Sequence, residues 1–350
     1  MSDNLLVKNA RPMGGAAVDV LVTAGTILRV AGLAVLLAGA GLLGSASPSA
    51  PQITSRPVRI GVLFPDTLAA RAPMLDALRQ GLQELGYVEG REVTLDVRYA
   101  NNKEDRLGPL AQELVREPVD VLVTGGTTPT AAAQLATKTI PIVMVGVGNP
   151  VARGFVASLH QPGGNITGST DALPDAMSLR LQLLKDALPS VSRVAFIHNG
   201  AVTSSAEARE TAEKLGLTLQ PLDVRVDAGL NSAMVAIRLT RPDALIVVPN
   251  PLTFRSRHRI ASVGLLQHVP VLFGWREFMD ADGLMTYGAN MTALYRRAAA
   301  HVDKILKGAP PAELPVELPR FELVVNLRTA KALGVTIPPA VLSVADDVIQ

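Results

Sequence analysis

Short aliphatic runs alternate with stretches of helical periodicity from Val58 onward, and the alternation starts over near residue 179. "VRIGVLF" (58–64), "VDVLVT" (119–124) and "IPIVMVGVG" (140–148) are apolar almost throughout. Strands of that kind belong to parallel sheets covered on both faces. Between them, "MLDALRQGLQELG" (74–86) sets Leu75, Leu78, Leu82 and Leu85 at helical spacing, and Gly86 stops the run. "EVTLDVRY" (92–99) alternates like a strand, while "EDRLGPLAQELVRE" (104–117) and "TAAAQLAT" (130–137) read as helices. "HQPGGNITGSTDALPDA" (160–176) breaks the pattern with proline, glycine and small polar residues, and reads as a crossover. Strands then fall at 193–199, 217–224, 243–249, 269–275 and 283–288, with helices at 179–189, 205–216, 230–240, 255–268 and 293–308.

The two halves echo each other. "PVDVLVTGGTTPT…IPIVMVGVGNP" (118–150) lines up with "PDALIVVPNPLTF…VPVLFGWREF" (242–278). Each has Pro, Asp, an aliphatic strand, a polar turn with proline, a helix, and a second strand entered through apolar-Pro-apolar. The chain has 350 residues, 48% of them hydrophobic and 3% aromatic, enough for two aliphatic cores. The expected fold class is α/β, with two Rossmann-like lobes, each a parallel sheet with helices on both faces, joined by crossover strands. The expected division is 57–168 plus 289–325 for the first lobe and 169–288 for the second. Residues 326–350 form a C-terminal segment whose lobe stays open.

Residues 1–46 read as an export signal and 47–56 as a linker. "VAGLAVLLAGAGLL" (30–43) follows Arg29 and ends in small residues at Gly44, Ser45 and Ala46. An uncleaved anchor is the other reading, and either Met1 or Met13 serves as a start. Both readings put the rest of the chain outside the cytoplasm. There is no cysteine, which excludes disulfides, thiolate zinc sites, thiol catalysis and a lipidated N-terminal cysteine. Net charge is +2 with no long basic run, so nucleic acid is not an expected partner. The five histidines are scattered and the nucleotide-loop and hydrolase motifs are absent. No catalytic residue, metal or cofactor is therefore expected. Asp66 and Asp171 are the acids nearest the expected rim, and nothing in the pattern supplies a base beside them.

Ligands of open α/β sheets bind beyond the carboxyl ends of the strands. Here those ends carry Phe64-Pro65-Asp66, Gly125 to Thr128 before Pro129, Gly146 to Asn149 before Pro150, His198-Asn199-Gly200, and Asn250 before Pro251. Thr128-Pro129, Asn149-Pro150 and Asn250-Pro251 each set a capping residue before a proline, which predicts three capped helix starts. One such turn is ordinary connection chemistry. Three on one rim predict a cleft that holds a ligand.

"GLQELGYVEGREVTLDVRYA" (81–100), "VDVLVTGGTTPTAAAQLATKTIPIVMVGVGNPV" (119–151), "GFVASLHQPGGNITG" (154–168), "LLKDALPSVSRVAFIHN" (183–199) and "DKILKGAPPAELPVELPRFELVVNLRTAKALGVTIPP" (303–339) together resemble one family. It is the ABC-transporter substrate-binding proteins of the tryptophan/tyrosine-import type. The resemblance spans Arg56 to Gln350 and is most specific from Asp303 to Pro339. It implies a periplasmic-binding-protein fold of the first type, a small ligand in the inter-lobe cleft, an ABC permease as partner, and a monomer in the periplasm. Carried over by position, the cleft-facing residues are Gly126, Thr127, Thr128, Gly146, Gly148, Asn199, Asn250, Trp275 and Tyr287. Phe64 and Asp66 join them from the first strand end. The expected ligand is an amino acid or similar carboxylate, with its carboxylate at Thr127, Thr128 and the helix start at Thr130, and its side chain against Trp275 and Tyr287. Two departures stand out: Asn250 replaces the acid of many relatives, and "LLGS" (42–45) resembles a lipobox with Ser for Cys. A sensor that signals to a membrane receptor is the alternative reading, and an α/β enzyme a third.

Overall fold

The computed structural model describes residues 56–172, 175–200 and 206–350. The expected export signal and all of the linker but Arg56 lie outside the described residues. In chain order the first part carries β1 (Val58–Phe64), α1 (Leu68–Glu84), β2 (Val93–Tyr99), α2 (Leu107–Arg116), β3 (Val121–Gly125), α3 (Thr127–Ala136), β4 (Ile142–Val145) and β5 (Ile166–Gly168). The next part carries α4 (Ala176–Ala187), β6 (Arg193–His198), α5 (Ala206–Lys214), β7 (Thr218–Asp223), α6 (Asp227–Thr240) and β8 (Ala244–Val247). It continues with α7 (Pro251–Arg255), α8 (Arg257–Leu266), β9 (Val271–Trp275) and β10 (Met285–Ala289). The last part carries α9 (Met291–Leu306), β11 (Phe321–Asn326), α10 (Leu327–Leu333), α11 (Pro339–Ser343) and β12 (Asp347–Ile349).

Two sheets result. The first runs β2-β1-β3-β4-β5 and is parallel throughout. The second runs β12-β11-β10-β9-β8-β6-β7, with β11 antiparallel to β10. Counted from the β7 edge, the second sheet places its strands in the order second, first, third, fourth, fifth, which is the order of the first sheet. The matched segments 118–150 and 242–278 supply the third and fourth strands of each. The protein is thus a two-lobed α/β fold, as expected.

Residues 321–325 lie within the range expected for the first lobe, yet they pair in the second sheet. The reason is the chain path. After β10 the chain leaves to form α9 on the first lobe, then returns and runs back along the free edge of β10. β12 adds to β11 in parallel, so the chain ends in the second sheet. β5 and β12 have three residues each, too few to show alternation in sequence.

Strand parity explains how both faces are covered. In the first sheet Ile60, Val62, Phe64, Val121, Val123, Val143 and Val145 face one core. Their neighbours Leu63, Leu122, Ile142 and Met144 face another, formed with α2 and α3. In the second sheet Leu245, Val247, Val271 and Phe273 face one side, and Ala244, Ile246 and Leu272 the other. The first-named sets of the two sheets belong to one continuous apolar core, with Phe254, Trp275, Phe278, Met291 and Tyr295 among its members. α9 closes the first lobe against α1. The two helices approach at Gly81, where a Cβ would lie 2.2 Å from the carbonyl oxygen of Arg296. Each fully buried aliphatic side chain in these layers contributes about 1.5–3 kcal/mol.

Candidate functional site

In each sheet the chain direction of winding reverses between the first and third strands, which opens a crevice at their carboxyl ends. In the first lobe that point lies between the ends of β1 and β3, where Phe64, Asp66 and Gly126 to Thr128 stand. In the second it lies between β6 and β8, where Asn199 and Asn250 stand.

The first-lobe wall is aromatic with one buried ion pair. The Phe64 ring stacks on Tyr99 at 5.5 Å and tilts against Tyr295 at 5.7 Å. Asp66 and Arg71 are both buried, and the Arg71 Nε donates to Asp66 Oδ2 at 2.6 Å. The Arg71 guanidinium lies 6.0 Å from the Phe64 centroid and 5.5 Å from that of Phe254, a second-lobe residue. Burial pushes the Tyr295 hydroxyl above the usual tyrosine range.

The β3 turn differs from the expected cap. Gly126, at φ 91°, is the residue that precedes the helix, and α3 begins at Thr127. Thr128 therefore occupies the second helical position and Pro129 the third. A left-handed glycine turns the chain within one residue of the strand, so the helix starts before Thr128 can cap it. The Thr130 N–H is already taken by Gly126 O at 3.3 Å, and its hydroxyl donates to the same oxygen at 2.7 Å. The first-turn N–H groups without an i−4 carbonyl inside the helix are those of Thr127 and Thr128. Asn149-Pro150 likewise opens a turn and not a helix, with Asn149 at φ 48° and its Oδ1 accepting from the Ala152 N–H.

Asn250-Pro251 is the device that forms as expected. Asn250 caps α7, with Pro251 at its first position. The Asn250 Oδ1 accepts from the Thr253 N–H at 3.0 Å, and the Thr253 hydroxyl accepts from the Asn250 N–H at 2.9 Å. Phe254, on the same short helix, meets Trp275 and Phe278 edge-on at 5.9 and 5.5 Å. Arg257 lies over the Phe254 ring at 4.5 Å. Trp275 ends β9, is 5% exposed, and donates from Nε1 to Asp171 Oδ2 at 3.1 Å. Desolvation pushes the Asp171 carboxyl up to about 6, against the opposing effect of the Trp275 hydrogen bond.

The structure brings Phe64, Asp66, Asn250 and Trp275 into linked surroundings through Arg71 and Phe254. Thr128 stands at the adjacent strand end. Gly146 and Gly148 follow β4, and a Cβ on Gly146 would meet the Met291 methyl at 2.3 Å. Asn199 is exposed beyond β6. Tyr287 packs against the second core of the second sheet, and its ring meets edge-on that of Phe321, which packs against the core of Trp275. Its carbonyl accepts from Arg180 Nε at 2.9 Å, and burial lowers that guanidinium to about 10. Sequence reasoning missed Arg71, Tyr99, Phe254 and Tyr295. A buried arginine on a helix leaves no mark in periodicity, and Tyr295 comes from a helix more than 200 residues beyond β1.

A separate pocket of about 820 Å³ lies between α1, α9 and the turn after β9, lined in part by Gln80, Glu84, Arg276, Glu277, Asn290 and Arg296. Among the described residues no group of three or more acidic or histidine side chains is placed to hold a metal. No described helix is long and apolar enough to cross a membrane.

The family described as ABC transporter substrate binding protein matches residues 60–349. The tyrosine-binding protein of Clostridioides difficile strain R20291 is 26% identical over 270 residues, covering 75% of this chain and 77% of that protein. A conserved domain protein from Vibrio cholerae O1 biovar El Tor superposes with a TM-score of 0.76 at 27% identity, covering 84% of this chain and 100% of that one. The Streptococcus pneumonia ABC domain in complex with L-Trp superposes with a TM-score of 0.77 at 25% identity, again over 84% and 100%. With the match running through both lobes, the chain belongs to the ABC transporter substrate-binding proteins, transport proteins and not enzymes, which hold a small ligand outside the cytoplasm for a membrane permease.

Proposed function

We propose that the ligand is an amino acid with an aromatic side chain, held between the two strand-end crevices. One observation carries this reading. Asp66 Oδ1, Thr128 Oγ1 and Asn250 Nδ2 are all buried without a hydrogen-bond partner. Buried polar atoms left unpaired each cost about 1–3 kcal/mol, so several at the strand ends of both lobes call for a polar group that satisfies them together. The aromatic rings of Phe64, Phe254 and Trp275 line the same surroundings and suit a flat apolar side chain. The binding residues are then Phe64, Asp66, Thr127, Thr128, Asn250 and Trp275. The relatives that bind tyrosine and tryptophan support the same class.

A thermal-shift screen of the purified protein against amino acids, sugars and small carboxylates tests it. A bound ligand at about 100 times its Kd adds about 2.7 kcal/mol by mass action. Stabilisation by tyrosine, tryptophan or phenylalanine is the expected outcome. Stabilisation by sugars alone would overturn the assignment.

A further inference from the structure

We infer that Tyr295, carried in from α9, is a ligand-binding residue whose hydroxyl donates to the ligand's carboxylate at the turn after β3. The inference rests on the amino-acid reading above and adds to it a residue from a helix outside the strand-end pattern.

Gly125 and Gly126 are glycines for different reasons. Gly126 sits at φ 91°, in the left-handed region. Gly125 ends β3 and has no positive φ, so its backbone suits any residue. Space is what a side chain would lack there. A Cβ on Gly125 would lie 2.4 Å from the Tyr295 hydroxyl oxygen and 2.9 Å from the Phe64 ring. The hydroxyl thus occupies the room of the missing side chain, against the residue that leads into the turn.

Tyr295 is fully buried, and its hydroxyl has no hydrogen-bond partner. Unpaired polar atoms also occur at Thr286 and Asn326 in the second sheet, so that state alone does not mark a binding group. The place does. Thr128 Oγ1, just past Gly125, is unpaired as well. The N–H groups of Thr127 and Thr128 have no i−4 carbonyl within α3. An N–H only donates, so the ligand atom that meets this helix start is an acceptor. Burial holds Tyr295 above the usual tyrosine range, so its hydroxyl keeps a proton to give. Asp66, the buried acid of this lobe, is held on Arg71 and makes no bond to Tyr295. A carboxylate has two oxygens, enough for the helix start and the Tyr295 hydroxyl together.

Tyr295→Phe tests this, because it removes one oxygen and keeps the ring that packs on Phe64. Calorimetric titration would use L-tyrosine and L-tryptophan, with tyramine and tryptamine as counterparts that lack the carboxylate. The variant is expected to melt no lower than wild type, since it loses a buried hydroxyl that nothing in the protein satisfies. Its affinity for the two amino acids is expected to fall by about tenfold or more, the loss of a hydrogen bond to a charged group. Its affinity for the two amines is expected to stay within about twofold of wild type. Amino-acid affinity within about threefold of wild type overturns the inference. So does a loss shared equally by the amines, which would set the hydroxyl against another part of the ligand. Wild-type protein that binds none of the amino acids overturns the ligand reading, and the role of Tyr295 falls with it.

Discussion

Trp275 donates to the Asp171 carboxyl at 3.1 Å, and it is the chain's one tryptophan. Its fluorescence therefore reports on the ionisation of one acid. Desolvation lifts Asp171 from 3.8 to about 6 in the folded state. Between those two values the folded protein holds a proton that the unfolded chain has released. The contribution to stability is thus full below the unfolded value and is lost as pH rises through about 6. Trp275 emission is expected to titrate with a midpoint near that pH, and Asp171→Asn is expected to flatten the curve; an unchanged titration in the variant would assign it to another group. At this scale the sequence is an uneven guide. The Asn250 cap forms because Thr253, three residues on, closes the box with it, whereas Asn149-Pro150 lacks that partner and opens only a turn. Thr128-Pro129 has the same look, but Gly126 two residues earlier takes over the turn through its positive φ. Arg71 carried no signal, since its burial depends on Asp66 and on rings from both lobes.

Among elements, the alternation of aliphatic strand and amphipathic helix was legible because both faces of the central strands are covered, which makes them apolar nearly throughout, while the edge strands β2 and β7 carry polar residues. The two sheets repeat the order of second, first, third, fourth, fifth strand, and the match between 118–150 and 242–278 covers its third and fourth members. What was not legible is membership. β11 and α9 come close together in sequence, and pairing partners alone send one to the second sheet and the other to the first lobe. α9 depends on its start. Asn290 Oδ1 accepts from the Ala293 N–H at 2.9 Å, and the Glu277 carboxylate accepts from the Thr292 N–H at 2.7 Å. Asn290→Ala is expected to cost about 1 kcal/mol in urea unfolding, and Asn290→Ser to recover most of it. Equal losses for the two would mean that the bond from Asn290 Nδ2 to Glu322, and not the cap, sets the cost.

Across the whole molecule, the chain passes between the lobes three times: from β5 to α4, from β10 to α9, and from the segment near Glu317 to β11. The crossings run side by side, with Ser169 bridged to Glu317 and Asn290 Nδ2 donating to Glu322. Arg71 is the first-lobe side chain that reaches across to Phe254. Arg71→Met removes that contact and leaves Asp66 buried and uncompensated. It is expected to lower stability by about 3–5 kcal/mol, as for other broken buried pairs. Arg71→Met/Asp66→Asn should recover most of the stability but not ligand affinity. Recovery of both in the double variant would limit the pair to a structural role.

The union of α1 with α9 has a consequence for how the protein is made. The apolar face of α1 is covered by a helix more than 200 residues later in the chain, and the second sheet takes its last strand at Asp347–Ile349. Neither lobe has its full set of partners while residues near the N-terminus are the ones available. Contacts this distant in sequence form slowly. Until α9 has been made the apolar face of α1 lacks its cover, and an unclosed lobe is a form that a secretion channel can thread.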